Sequence, residues 1–174
     1  RNWKSVKKEY WDNGKLKSEV HWKDGKKDGL ETGWFESGEK EYEIPYKNGK
    51  LEGLRTQWYE SGEKKYEAHY KNGKQDGVTT TWYKTGEKLA EGHYKNGKQD
   101  GVTTTWYKTG EKKYEAHYKN GKLEGLRTQW YESGKKKLLK HYKNGTEHGI
   151  KQEWNEDGKL LFQGNFVDGV FEFG

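Results

Sequence analysis

The stretch G-L-R-T-Q-W-Y-E-S-G-E-K-K-Y-E-A-H-Y-K-N-G-K, residues 53–74, decides how this chain is read. Thr, Trp and Tyr favour pleated, half-buried strands, while the S-G and N-G dipeptides punctuate them. Two strands and two turns result. Alternation with a period of 2 puts Leu54, Thr56 and Trp58 on one face of the first strand, and Tyr66, Ala68 and Tyr70 on one face of the second. A three-residue loop, Glu60-Ser61-Gly62, with Gly62 left-handed in a type I turn plus bulge, pairs Trp58 with Lys64, Thr56 with Tyr66 and Leu54 with Ala68. The connection from Lys71 to Gly77 is also odd in length and keeps Tyr70 on the side of Val78, Thr80 and Trp82. This register predicts one face that is aromatic along its whole length. The other face then carries Arg55, Gln57, Tyr59, Lys65, Glu67 and His69, with Arg55 opposite Glu67.

The hairpin recurs. Gly stands at 14, 38, 62, 86, 110, 134 and 158, again at 25, 49, 73, 97, 121, 145 and 169, and in a third series from 29 to 149. The eighteen residues K-N-G-K-Q-D-G-V-T-T-T-W-Y-K-T-G-E-K occur unchanged at 71–88 and at 95–112. Such periodicity defines an array in which each unit contacts its neighbours. The units run 1–22, 23–46, 47–70, 71–94, 95–118, 119–142 and 143–166, with a C-terminal cap over 160–174. In that cap the pattern gives way to Leu160, Leu161, Phe162, Phe166, Val167, Val170, Phe171 and Phe173, which are expected to cover the last edge. The predicted fold is all-β: an elongated, twisted antiparallel meander of tandem 24-residue hairpins with about 14 strands, largely a single-layer sheet.

Composition narrows the function. Leu, Ile, Val and Phe number only 24 of 174 residues, a level typical of disordered chains, yet 27 residues are aromatic and 9 of those are Trp. The aromatics must therefore supply the packing. Charge is dense but mixed, 34 basic against 28 acidic residues, and only Arg1, Arg55 and Arg127 are arginines. That balance speaks against specific nucleic-acid recognition, which leans on the guanidinium fork. No stretch has the length and apolarity of a membrane span or a signal peptide. Cys and Met are absent, which excludes disulfides and cysteine metal sites and marks the chain as a processed product or an excised fragment. Its compartment stays open between cytoplasm and cell envelope or exterior.

Reactive side chains recur without converging. His21, His69, His93, His117 and His141 share one repeat position, but equivalent positions lie two strands apart, roughly 9.6 Å. Zinc needs nitrogens at about 2.0–2.1 Å from a shared ion, so no metal site is expected. Glu63, Glu67, Glu87, Glu91, Glu111 and Glu115 recur likewise, and a one-layer sheet offers no cleft in which such groups could acquire shifted pKa values. No catalytic residue and no cofactor are expected. The N-G-K-x-D-G connections precede strands rather than helices, so they do not cradle phosphate. The V-T-T-T-W segments at 78–82 and 102–106 read as strands rather than as an ice-binding threonine array.

The motifs W-Y-E-S-G-E-K-K at 58–65 and H-Y-K-N-G-K-x-x-G at 69–77 resemble the bacterial MORN-variant repeat of YwqK-type antitoxins. The likeness runs over essentially residues 1–170. It implies a non-catalytic module of the protein- or lipid-binding kind with an antitoxin or immunity role, whose partner is a cognate toxin. This chain departs from simple copies in that one repeat position varies between Tyr42, Tyr66, Tyr114, Ala90, Leu138 and Phe162. The candidate binding residues are Trp34, Trp58, Trp82, Trp106 and Trp130, flanked by Tyr46, Tyr70, Tyr94, Tyr118 and Tyr142. Regular Trp and Tyr at an accessible surface are the residues that most often carry interface energy. A protein partner is expected; a cell-surface or cell-wall glycan stacked on the aromatics, and an anionic lipid surface met by the lysine-rich N-G-K turns, are the alternatives.

Overall fold

The computed structural model describes residues 3–173, which contain 19 β-strands and no helix, every pairing antiparallel. Residues 1 and 2 of the first unit and residue 174 of the cap lie outside the described residues. The chain forms two compact units, Arg1–Gly86 and Glu87–Gly174. In the first, the long strands are Lys4–Tyr10, Leu16–Lys23, Gly29–Trp34, Lys40–Lys47, Gly53–Trp58, Lys64–Lys71 and Lys74–Trp82. In the second they are Lys88–Lys95, Gly101–Trp106, Lys112–Lys119, Lys122–Trp130, Lys136–Lys143, Gly149–Trp154 and Leu160–Val167. The total exceeds the expected count because four two-residue strands, Lys26–Lys27, Lys50–Leu51, Lys98–Gln99 and Thr146–Glu147, and the final Val170–Glu172 stand apart. The fold is an all-β antiparallel meander of tandem hairpins.

The three-residue turn forms as its sequence demands. Gly62 N donates to Tyr59 O at 2.9 Å, Tyr59 N donates to Glu63 O at 2.8 Å, and Gly62 sits at φ +93°. Trp58 then pairs with Lys64. Beyond that pair the register departs from expectation: Gln57 faces Tyr66, Thr56 faces Glu67, Arg55 faces Ala68 and Leu54 faces His69. Lys65 is an extra residue, a second bulge directly after the first. One inserted residue shifts the pairing by one and turns every following side chain to the other face. Tyr66, Ala68 and Tyr70 therefore lie with Arg55 and Gln57, while Leu54, Thr56 and Trp58 lie with Glu67 and His69. The expected pairings of Thr56 with Tyr66, Leu54 with Ala68 and Arg55 with Glu67 do not occur.

The N-G connection is shorter than the expected Lys71–Gly77 loop. Asn72 at φ +52° and Gly73 at φ +83° form a two-residue turn, and Lys71 pairs with Lys74 across it. Two left-handed residues in succession make the type I′ turn, whose twist matches that of the strands. Tyr70 then faces Gln75, Asp76 and Gly77 bulge out, and Ala68 faces Thr79. Tyr70 therefore shares a face with Thr79 and Thr81, and not with Val78, Thr80 and Trp82. Successive turns are tied together: Asn72 N donates to the Glu52 carboxylate at 2.5 Å and Gly73 N to Leu51 O at 2.8 Å. The same tie recurs at Asn144, whose N donates to Glu124 at 2.6 Å.

The core is thin. Ala68 and Ala116 are 0 % exposed, and no large side chain is fully buried among the described residues. At the C-terminus the phenylalanines pack on one face rather than over the edge. Phe171 stacks between Phe162 and Phe166, with centroids 5.6 and 5.5 Å away, in space left by Gly164, whose missing Cβ would lie 2.3 Å from the Phe171 ring. Leu161, Val170 and Phe173 remain exposed.

Candidate functional site

The ten aromatic candidates divide between two faces of different chemistry. Trp34, Trp58, Trp82, Trp106 and Trp130 occupy one repeat position, each paired or aligned with the first lysine after the turn: Trp34 with Lys40, Trp58 with Lys64, Trp106 with Lys112 and Trp130 with Lys136. Tyr46, Tyr70, Tyr118 and Tyr142 face Gly29, Gly53, Gly101 and Gly125, and Tyr94 faces Gln99, all in the row of Ala68 and Arg55. The single aromatic face expected from spacing is thus corrected to a tryptophan face and a tyrosine face, and the cause is the Lys65-type bulge.

On the tyrosine face the rings cover their own sheet. Tyr66 and Tyr70 stand four residues apart along one strand, too far for upright rings to meet. Their hydroxyls nevertheless lie 3.4 Å apart, so the rings lean together over Ala68, whose small side chain they seal completely. Tyr114 and Tyr118 close over Ala116 in the same way, at 3.1 Å. Burial, reinforced by the Tyr118 hydroxyl, holds the Tyr114 phenol well above its ordinary pKa. Arg127 lies 5.5 Å over the Tyr114 ring and donates from Nη1 to the Tyr142 hydroxyl at 3.3 Å. Lys27 is held above its ordinary pKa by its bond to Glu31, 2.6 Å away, and sits over the Tyr46 ring.

On the tryptophan face the apolar groups stay open. Leu54 pairs with His69 and is 41 % exposed, Leu30 at the equivalent position is 41 % exposed, and Val6 is also exposed. In the second unit Leu126 is 40 % and Ile150 45 % exposed at the same position. Between each aliphatic residue and its tryptophan the short Thr is covered, as with Thr56 and Thr128. Lys64 bonds Glu67 at 2.7 Å and reaches to 5.9 Å from the Trp82 ring, and Lys112 does the same with Glu115 and Trp130. A polar, charge-paired border thus runs along an apolar stripe.

Between the faces the hairpins are stapled end to end. The Tyr59 hydroxyl donates to Trp82 O at 2.6 Å, Tyr107 to Trp130 O at 2.8 Å, Tyr131 to Trp154 O at 2.8 Å, and the Trp11 indole Nε1 to Trp34 O at 3.1 Å. The W-Y dipeptide encodes this staple, since the first ring points to one face and the second, by alternation, to the other. The aliphatic row was the part that sequence reasoning passed over; its signal was the period-24 recurrence of Val6, Leu30, Leu54, Val78, Val102, Leu126 and Ile150. Among the described residues no group of three or more His, Asp or Glu is placed to hold a metal ion.

The family model described as the MORN repeat variant matches residues 6–24, 27–48, 51–72, 75–96, 99–120, 123–144 and 147–168. A comparison with curated proteins finds no match. Each full match begins two residues after the glycine of one two-residue turn and ends at the Asn or Asp of the next. With seven matched segments spanning most of its length, the chain belongs to the MORN repeat variant family.

Proposed function

We propose that this MORN-variant repeat protein is a non-enzymatic module that binds a partner protein along its tryptophan face. The half-exposed aliphatic row of Leu30, Leu54, Leu126 and Ile150 beside the tryptophans carries the reading. The tyrosines spend their surface on sealing Ala68 and Ala116, whereas the aliphatic row remains in water, where covering it with a partner is favourable by about 25 cal/mol per Å². The Lys–Glu pairs beside it suit the polar rim of an interface. Likeness of the W-Y-E-S-G-E-K-K motif to YwqK-type bacterial antitoxins makes a toxin the partner we infer, with the array as its immunity component.

The test compares the full chain with the double variant Leu54→Asp, Leu126→Asp as bait in extracts of the cells that make it, followed by co-expression with the captured protein. The unaltered chain retains a stoichiometric partner and relieves its toxicity, and the double variant loses affinity at least about fivefold. A partner held equally by both overturns the choice of face. Trp fluorescence quenched by a glycan at unchanged ionic strength, or salt-sensitive liposome binding, would replace the protein partner by one of the other two ligand classes.

A further inference from the structure

Four aromatic rings that lead into the three-residue turns are each covered by a lysine from the same repeat. Lys17 lies over Trp11 at 4.6 Å, Lys65 over Tyr59 at 5.6 Å, Lys113 over Tyr107 at 5.6 Å and Lys137 over Tyr131 at 5.5 Å. The lysine in each of these four repeats is the residue of the second bulge, a position held elsewhere by Glu41, Leu89 and Leu161. The second repeat differs from these four at both positions and places an acid where they have a lysine. Its ring is Phe35 and its bulge residue is Glu41. Both are half-buried, and Glu41 has no ion pair within 4 Å among the described residues. Together they line a groove of about 520 Å³ whose walls include Gln57, Trp58, Tyr59 and Lys65.

We propose that this groove is a binding site for a single organic cation, an alkylammonium or guanidinium group, seated over Phe35 where the chain's own lysine sits over Tyr59. The ring face attracts the cation through its quadrupole, and the Glu41 carboxylate supplies the counter-charge that the other repeats lack at this position. Phe35 has no hydroxyl with which to make the staple that Tyr59 makes to Trp82 O, so its ring is left with only its faces to offer. Lys65, already committed to Tyr59, and Lys84 also line the groove, along with Glu60. These two ammonium groups repel a second positive charge, which makes the site selective for a monocation over a polycation. The cation comes either from a free small molecule or from a lysine or arginine side chain of another protein. By alternation Phe35 lies on the side opposite Trp34, and Trp58 is the one residue of the tryptophan row that lines the groove.

The experiment titrates the full chain, isotopically labelled, with Nα-acetyl-lysine amide, Nα-acetyl-arginine amide, tetramethylammonium and the neutral isostere Nα-acetyl-norleucine amide. Amide shifts of Phe35 and Glu41 and the indole shift of Trp58 are followed by NMR. The cationic probes give saturable millimolar binding, and the neutral isostere binds at least about tenfold more weakly. Glu41→Gln weakens the cations about three- to tenfold. Glu41→Lys, which recreates the arrangement at Tyr59, abolishes saturation at Phe35 while leaving thermal unfolding at or above that of the unaltered chain. Tetramethylammonium binding as well as the lysine amide identifies a free organic cation, and a preference for either amide identifies a protein side chain; both support the site. Equal response to the neutral isostere, or cation binding undiminished in Glu41→Lys, overturns it.

Discussion

Gly33→Ala tests the packing on the tyrosine face at its tightest point. A Cβ at Gly33 would lie 2.2 Å from Cε1 and 2.3 Å from Cζ of Tyr42, more than 1 Å inside ordinary contact. Ile44 here occupies the position of Ala68, the small residue between the leaning Tyr66 and Tyr70, and the predicted consequence is that its bulk disfavours the same lean by Tyr42. Displacing a packed ring costs about 1–3 kcal/mol. Replacing Gly by Ala returns about 0.4–1 kcal/mol through the unfolded chain. The net effect is a loss of up to about 2.6 kcal/mol, a fall of up to about 10 °C in the midpoint for a chain of this size. Gly92→Ala makes the opposite prediction from the same chemistry. There the added Cβ meets Thr103 Oγ1 at 3.4 Å and Tyr94 Cε2 at 3.5 Å, which is ordinary contact, so the variant gains about 0.4–1 kcal/mol. Ile44→Ala added to Gly33→Ala lets the ring swing over the smaller residue and recovers at least about 0.5 kcal/mol relative to additivity. Thermal and urea unfolding followed by circular dichroism measure the unaltered chain, Gly33→Ala, Gly92→Ala, Ile44→Ala and the Gly33→Ala, Ile44→Ala double variant. A stabilising Gly33→Ala, or equal effects at Gly33 and Gly92, refutes the ring placement.

Two further outcomes follow from the staples and the buried phenols. Tyr59→Phe removes the 2.6 Å bond to Trp82 O and lowers stability by about 0.5–1.5 kcal/mol in urea titration, while an unchanged midpoint contradicts the staple. The Tyr114 phenol titrates higher in the folded chain than in the unfolded one, so the protonated form is favoured by folding. Its contribution is complete below about pH 10, the unfolded value, and is lost as pH rises above that. Tyr114→Phe therefore flattens the decline of stability above pH 10, and an identical alkaline decline in both chains rules the linkage out.

The repeat, the all-β meander and the left-handed Gly62 turn were legible in the sequence because Gly, Ser-Gly and the Trp-Tyr run are local signals with local causes. The pairing of Trp58 with Lys64 followed from the same turn. The face assignment failed one residue later. Lys64 and Lys65 are identical in type, and nothing in a pair of adjacent lysines announces that one is taken up by Trp82 on one side and the other by Tyr59 on the opposite side. The N-G turn carried its own signal, the strongest short-range hairpin dipeptide. It was absorbed into a longer loop because Asp76 and Gly77 also look like turn residues, whereas they form a bulge inside the ladder. The alternation of a large, a small and a large side chain in Tyr66, Ala68 and Tyr70 was visible, but its meaning, two rings closing over the small one, needs the register first.

Cross-linking of introduced cysteines tests the second bulge most directly, since the chain contains no cysteine of its own. Leu54→Cys with His69→Cys places the thiols on directly paired residues of one face and forms an intramolecular disulfide on mild oxidation. Leu54→Cys with Ala68→Cys puts them on opposite faces and stays reduced. Disulfide formation by the second pair and not by the first would contradict the shifted register, and with it the division of tryptophans and tyrosines between two faces.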